Sequence, residues 1–76
     1  MIKRIRNAFV EAFDCDPETI TEETVPDEVD GWDSMGHFNL VSVLSDEFDI
    51  TIDVTETVKM RSVADIIKVL TDKGLE

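Results

Sequence analysis

Hydrophobic residues recur at helical spacing in three parts of the chain. The first repeat covers residues 2 to 13 and the second covers residues 34 to 48. The third begins at a capping pattern, Ser62 followed by Asp65, and continues to Gly74. The apolar faces predicted for these helices are Ile2, Ile5, Phe9, Ala12 and Phe13; Leu40, Val41, Leu44 and Phe48; and Val63, Ile66, Ile67 and Leu70.

The segment between the first two repeats, residues 14 to 33, has no such periodicity. It contains both prolines of the chain, many acids and isolated apolar residues. This composition predicts a long loop, and loops of this length in small domains usually serve a function. We expect its isolated apolar residues to attach it to the core: Ile20, Val25 and Val29.

A second capping pattern, Asp53 followed by Glu56, predicts a short third helix that ends at Lys59. β-Branched residues within it limit its length. Alternation typical of a strand is confined to residues 50 to 52. The expected fold is therefore all-α: a small antiparallel-type bundle of three principal helices plus one short helix, with a long loop between the first and second helices.

Length and charge limit the classes of function. A chain of 76 residues has room for a single domain, residues 1 to 76, and too little for an enclosed enzyme cleft. The net charge is −11, and residues 7 to 58 carry fifteen acids and no Lys or Arg. Such a stretch repels nucleic acid and anionic membranes and favours basic partner surfaces.

The thiol and hydropathy patterns favour a location in the cytoplasm, and we expect the protein to be a monomer there. Cys15 is the only cysteine, so an internal disulfide and a cysteine-based metal cluster are both excluded. No apolar run is long enough to span a bilayer, and acids interrupt the N-terminal apolar positions where a signal peptide would need a continuous run.

One serine, Ser34, stands where the acidic loop gives way to the second helix, directly after Asp33. Either residue could cap the helix, since both Asp and Ser are preferred caps. A phosphate diester on a serine at this point would lie beside unpaired backbone N–H groups and the positive end of the helix dipole. With its flanking residues, from Gly31 and Trp32 to Phe38, this motif makes the chain resemble the acyl carrier proteins over nearly its whole length.

The resemblance implies a function without catalysis by the chain itself. Ser34 would receive a 4′-phosphopantetheine arm, whose thiol holds an acyl group as a thioester. The implied partners are a phosphopantetheinyl transferase, an acyl-loading ligase or acyltransferase, and downstream enzymes that use the acyl group. Asp33 would be the acid of the motif, serving the transferase and its metal, although a role as helix cap is equally compatible.

Four residues near Ser34 are candidates for partner contact, core packing or catalysis. Met35 and Phe38 are candidate partner contacts, although Phe38 borders the apolar face and could belong to the core. Trp32 could anchor a partner or cover the core. His37 lacks a second base and an orienting partner, which favours a structural role over catalysis.

Three alternatives to an acyl carrier of fatty-acid synthesis are open. Gly36, Asn39, Ser42 and Ser45 stand where the resemblance implies more acids, which favours a specialised lipid, polyketide or saccharide pathway. A peptidyl or aminoacyl carrier and a cofactor-free acidic interaction module are also open. A calcium loop beginning at Asp14 is excluded, because it lacks the required glycine and the final glutamate, and we expect no metal site.

Overall fold

The computed structural model describes residues 1 to 75, and these residues form four α-helices with no strand among them. Helix α1 spans Ile2–Phe13, α2 spans Ser34–Phe48, α3 spans Val54–Lys59 and α4 spans Val63–Asp72. The helices pack into a small bundle with a radius of gyration of 10.9 Å. The predicted all-α bundle of three principal helices and one short helix, with its long loop between α1 and α2, is confirmed.

The core consists largely of the faces that the hydrophobic repeats predict. All four residues predicted for α2 are buried, while in α1 Ile2, Ala12 and Phe13 pack at the edge of the core. On α4, Ile67 is only partly buried and Val69, which was not predicted, is 8% exposed. The largest of the fully buried side chains are Phe9, Ile5, Ile20, Leu40, Leu44, Met60, Ile66, Leu70 and Val63.

The long loop contains two short 3-10 turns, Pro17–Thr19 and Pro26–Glu28. Ile20 and Val29 are buried and attach the loop to the core, as predicted. The prediction for Val25 is wrong, since its side chain is 40% exposed. The backbone at Val25 is extended, and successive side chains of an extended segment point to opposite sides.

Thr24 takes the buried position that Val25 does not. Its hydroxyl accepts a 2.8 Å hydrogen bond from the Thr21 amide and lies 3.2 Å from the Thr19 carbonyl, to which it donates. The Thr24 carbonyl accepts from the amide of Val63, the first residue of α4. These bonds fasten the middle of the loop to the start of α4.

The bases of α1 lie near its N-terminus, where they oppose the helix dipole. Arg4 compensates by pairing with α2: its Nε lies 3.2 Å from Oε2 of Glu47, and its guanidinium lies 4.3 Å from the centre of the Phe48 ring. Because Arg4 is half exposed, the ion pair contributes at most about 1 kcal/mol. The contact joins α1 to the end of α2 that lies farthest from Ser34.

Candidate functional site

The start of α2 is capped by Asp33, and this leaves Ser34 free. Oδ1 of Asp33 accepts a 2.8 Å hydrogen bond from the Gly36 amide, so Ser34 is the first helical residue. Within residues 1 to 75, neither the Ser34 hydroxyl nor the amides of Ser34 and Met35 have a hydrogen-bond partner. An exposed hydroxyl therefore stands beside two unpaired N–H groups at the positive end of a helix.

Two glycines bring α2 close to the loop that precedes it. Gly31 has a φ of 91°, a conformation that other residues rarely adopt. A Cβ added to Gly36 would lie 1.7 Å from the Gly31 carbonyl oxygen, so only glycine allows this approach. Sequence reasoning treated Gly36 only as a missing acid. The presence of one glycine on each side of the helix start is the sequence feature that could have indicated this close backbone contact.

Trp32 covers the core instead of projecting into solvent. Its side chain is 5% exposed and meets the ring of Phe9 edge-on, with ring centres 5.0 Å apart. Of the two roles left open for Trp32, the structure places it in the core. Its indole N–H donates a 2.8 Å hydrogen bond to Nδ1 of His37.

His37 is a hydrogen-bonded structural residue, as predicted. Its second ring nitrogen, Nε2, lies 2.8 Å from the carbonyl oxygen of Thr57 in α3. An indole N–H can only donate and a carbonyl can only accept, so Nδ1 of His37 accepts and Nε2 donates in these two bonds. One imidazole thus joins the loop at Trp32 to α2 and α3.

Met35 and Phe38 lie on the surface beside Ser34. Their side chains are 83% and 64% exposed, which assigns Phe38 to the surface and not to the core. Large apolar side chains with this exposure in a small domain are typical of interaction sites when they lie together.

A pocket of about 450 Å³ opens next to Ser34, between α2, α3 and the loop. Its inner wall includes the buried Trp32, Thr57 and Met60, and its outer edges include the exposed Phe38 and Val58. The indole N–H and the Thr57 carbonyl on the inner wall are paired through His37. The inside of this pocket therefore suits an apolar group, and Asp33, Ser34 and Arg61 are its remaining polar residues.

Two acids at the start of α3 are held by hydrogen bonds and an ion pair. Asp53 and Glu56 form the predicted capping box, and Oε1 of Glu56 lies 2.8 Å from Nζ of Lys73. The hydrogen bond from Lys73, followed by the one from the Asp53 amide, lowers the pKa of Glu56 below its ordinary value. Glu56 therefore stays ionised and engaged near the end of α4.

Cys15 lies away from this site and does not line the pocket. Its thiol is 3.6 Å from the Phe9 carbonyl oxygen, and burial raises the pKa of Cys15, with Asp16 and Asp14 contributing in the same direction. A thiol with a raised pKa is a weak nucleophile at neutral pH. Cys15 thus has the inert character expected of a structural cysteine.

The described residues offer neither a grouping of metal ligands nor a membrane-spanning helix. Within residues 1 to 75, no three His, Cys, Asp or Glu side chains are grouped so that they could hold a metal ion. Over the same residues, no helix combines the length and the apolar composition needed to cross a bilayer.

The chain is similar to curated acyl carrier proteins along almost all of its length. The acyl carrier protein of Caulobacter vibrioides is 33% identical over 73 residues, which cover 96% of this chain and 94% of that protein. Those of Streptococcus thermophilus and Phenylobacterium zucineum are 32% and 30% identical, again over 96% of this chain and over 95% and 92% of their own lengths. No family model matches the chain, and no solved structure matches it.

These similarities extend from α1 to α4 and include the start of α2. They support an acyl carrier role, in which a protein presents substrates to other enzymes. The all-helical bundle and the exposed serine at a helix start agree with that role. The chain belongs to the acyl carrier protein family.

Proposed function

We propose that this chain carries an acyl group as a thioester on a 4′-phosphopantetheine arm joined to Oγ of Ser34, and that it delivers the group to partner enzymes. One observation carries the proposal: Asp33 caps α2, so the Ser34 hydroxyl is not needed by the helix. A serine that is exposed and has no hydrogen-bond partner within residues 1 to 75 can be modified without loss of a structural contact.

The residues at the helix start suit the phosphate of such an arm. The amides of Ser34 and Met35 have no acceptor within residues 1 to 75, and they lie at the positive end of α2. Backbone N–H groups at this position favour phosphate oxygens. When attached, the arm supplies the thiol that holds the acyl group, and the chain supplies its attachment and its docking surface.

The remaining roles follow from this assignment. The chain, acting as one carrier domain over residues 1 to 76 and as a monomer in the cytoplasm, serves as a covalent substrate for enzymes. Those enzymes are a phosphopantetheinyl transferase, a loading ligase or acyltransferase, and the enzymes that use the cargo. Asp33 is the acid that the transferase and its metal meet, and Met35 and Phe38 are contacts for partners.

Scarcity of acids on α2 supports a specialised pathway of lipid, polyketide or saccharide synthesis. The only acids of α2 are Asp46 and Glu47, three turns beyond Ser34, and Glu47 is paired with Arg4. An enzyme of fatty-acid synthesis that docks through a basic surface would therefore meet few acidic residues of α2 near the arm.

The direct test is the intact mass of the protein after co-expression with a broad-specificity phosphopantetheinyl transferase. The protein with the unchanged sequence should gain the mass of one arm. The Ser34→Ala variant should gain no such mass and should keep the circular dichroism spectrum of a helical protein. Ser42→Ala, at another exposed serine of α2, is the matched control and should gain the arm. An arm on the Ser34→Ala protein would refute attachment at Ser34.

A further inference from the structure

The Trp32 side chain is held by two ring contacts and one hydrogen bond. The Phe9 ring of α1 meets the indole edge-on, with ring centres 5.0 Å apart. The His37 imidazole stacks against it, with ring centres 6.1 Å apart and an interplanar angle of 20°. Nδ1 of the same imidazole accepts a bond from the indole N–H. These contacts fix the chain two residues before Ser34.

The residues from Trp32 to His37 form a short segment that is closed by hydrogen bonds. The His37 amide donates a 2.7 Å bond to the Asp33 carbonyl, and the Asp33 carboxylate accepts from the Gly36 amide. The bond between the Trp32 and His37 side chains closes the segment again. The Ser34 hydroxyl has no hydrogen-bond partner within residues 1 to 75, so its direction depends on the contacts that close this segment.

The two side-chain bonds of His37 differ in what their loss would leave behind. An indole has a single donor, and a buried N–H that loses its acceptor costs more than a typical hydrogen bond contributes. Loss of the bond to Trp32 would therefore drive the indole to move. The Thr57 carbonyl also accepts from the Met60 amide at 3.2 Å, so it stays paired when its bond to His37 is lost. The bond to Trp32 is thus the one that holds the end of the loop.

We infer that His37 is a positioning residue for attachment of the arm, and that it acts through its bond to Trp32. This inference rests on the proposed function, because it concerns the reaction that modifies Ser34. Attachment joins Oγ of Ser34 to the phosphorus that bears pantetheine in coenzyme A. The bond from that phosphorus to the bridging oxygen breaks, adenosine bisphosphate leaves, and the hydroxyl proton passes to a base of the transferase. His37 touches none of these atoms and sets the direction from which Oγ approaches.

A positioning residue of this kind affects the reaction more than the binding of the enzyme. A misplacement of about 1 Å in a reacting group can slow a reaction about a hundredfold. The cap from Asp33 to the Gly36 amide does not depend on the imidazole, which limits the displacement of Ser34 when the bond to Trp32 is lost. Met35 and Phe38 are exposed with or without that bond, so KM should change less than kcat.

The test separates the two bonds of His37 in the apo-protein. In His37→Asn an amide oxygen lies near the position of Nδ1 and can accept from the indole, while the reach to Thr57 is lost. In His37→Gln the amide reaches the position of Nε2 and can donate to Thr57, while the acceptor for the indole is lost. The control is Ile66→Val, which weakens the core at a fully buried residue of α4 that does not line the pocket.

Two quantities are measured for each variant. Transfer from coenzyme A by a phosphopantetheinyl transferase, followed against the concentration of the chain, gives kcat and KM separately. The ¹H–¹⁵N spectrum gives the state of the indole bond, because the chain has one tryptophan and its bonded N–H exchanges slowly with water. Thermal unfolding confirms that each variant is folded.

We expect His37→Gln to lose the indole bond and to lower kcat about five- to tenfold, with KM within about twofold. His37→Asn should keep the indole bond and restore most of that rate. Ile66→Val should unfold at a lower temperature and leave kcat unchanged, since it does not touch the segment that holds Ser34.

The state of the indole bond and kcat must change together if the inference is correct. A variant of His37 that loses the indole bond and keeps its kcat would overturn it, as would one that keeps the bond and loses kcat. An equal loss of kcat in Ile66→Val would assign the effect to general stability and overturn it as well. Failure of the unmodified protein to accept an arm would instead refute the proposed function, which keeps the two failures distinct.

Discussion

The indole N–H of Trp32 donates a 2.8 Å hydrogen bond to Nδ1 of His37. The same imidazole donates from Nε2 to the Thr57 carbonyl, also at 2.8 Å. Trp32 lies near the end of the long loop, His37 lies in α2 and Thr57 lies in α3. Three elements therefore meet at the His37 side chain, beside Ser34. Their relative positions shape the inner wall of the pocket next to the proposed attachment point.

Replacing His37 should weaken the fold at this junction. In His37→Ala the buried indole N–H of Trp32 loses its acceptor, which costs about 1 to 3 kcal/mol in the free energy of unfolding. Urea denaturation measures the loss, and the emission of Trp32, the only tryptophan, should shift to longer wavelength. Ser42→Ala on the exposed face of α2 is the control. A His37→Ala protein as stable as the unmodified one would show that the bridge does not support the fold.

Gly36→Ala should displace the loop from the start of α2. The added Cβ would lie 1.7 Å from the Gly31 carbonyl oxygen, so the backbone must move. Overpacking of this kind costs about 1 to 3 kcal/mol, although alanine is the better helix former. Denaturant unfolding checks the stability, and arm transfer should slow because Ser34 moves with the helix start. Unchanged stability and transfer would mean that the loop adapts freely.

Two substitutions of Asp33 separate its role as a cap from its role as an acid. Asp33→Ala removes the bond to the Gly36 amide and should cost about 1 kcal/mol of stability. Asp33→Asn keeps a capping oxygen and should be nearly as stable as the unmodified protein. If the carboxylate serves the transferase, both variants should accept the arm slowly. Rapid loading of a stable Asp33→Asn protein would leave Asp33 with the capping role alone.

Acid should weaken the contact between α3 and the end of α4. The Glu56 carboxylate, bonded to Lys73 and the Asp53 amide, has a pKa below its ordinary value of 4.5. Its contribution to stability is therefore complete above that value and is lost as the pH falls through the lower folded pKa. Unfolding midpoints of the unmodified protein and Glu56→Gln should differ at neutral pH and converge in acid. A gap that stays constant with pH would contradict this linkage.

Added acids on α2 should improve loading by a fatty-acid malonyl transferase. The unmodified holo-protein should be loaded more slowly than that enzyme's own carrier, because residues 34 to 45 of α2 lack acids. Asn39→Glu combined with Ser42→Glu places two acids at exposed positions of this segment and should raise the rate. These positions are chosen because Gly36 cannot accept a side chain. Equal loading of the two unmodified carriers would argue against a specialised pathway.

The sequence by itself determined the helices and most of the core. The apolar repeat of α2 and the capping box of Asp53 with Glu56 appear as predicted, because they depend on residues three or four positions apart. Ser62 caps α4 as predicted, but the box is not completed, since the Asp65 carboxylate accepts from the Arg61 amide and not from Ser62. The serine proposed as the attachment site, Ser34, was also selected from local sequence. Its motif identified the family that curated relatives then confirmed.

Only the tertiary structure decided which residues near Ser34 face the core. Local preference does not distinguish Asp33 from Ser34 as a cap, and Phe38 borders the apolar face, so neighbours brought in by the fold settle both. His37 finds its partner at Thr57, twenty residues away in the chain. Contacts of this kind depend on how α2, α3 and the loop pack together. The hydrophobic periodicity of a single helix does not specify which residues of other elements it will meet.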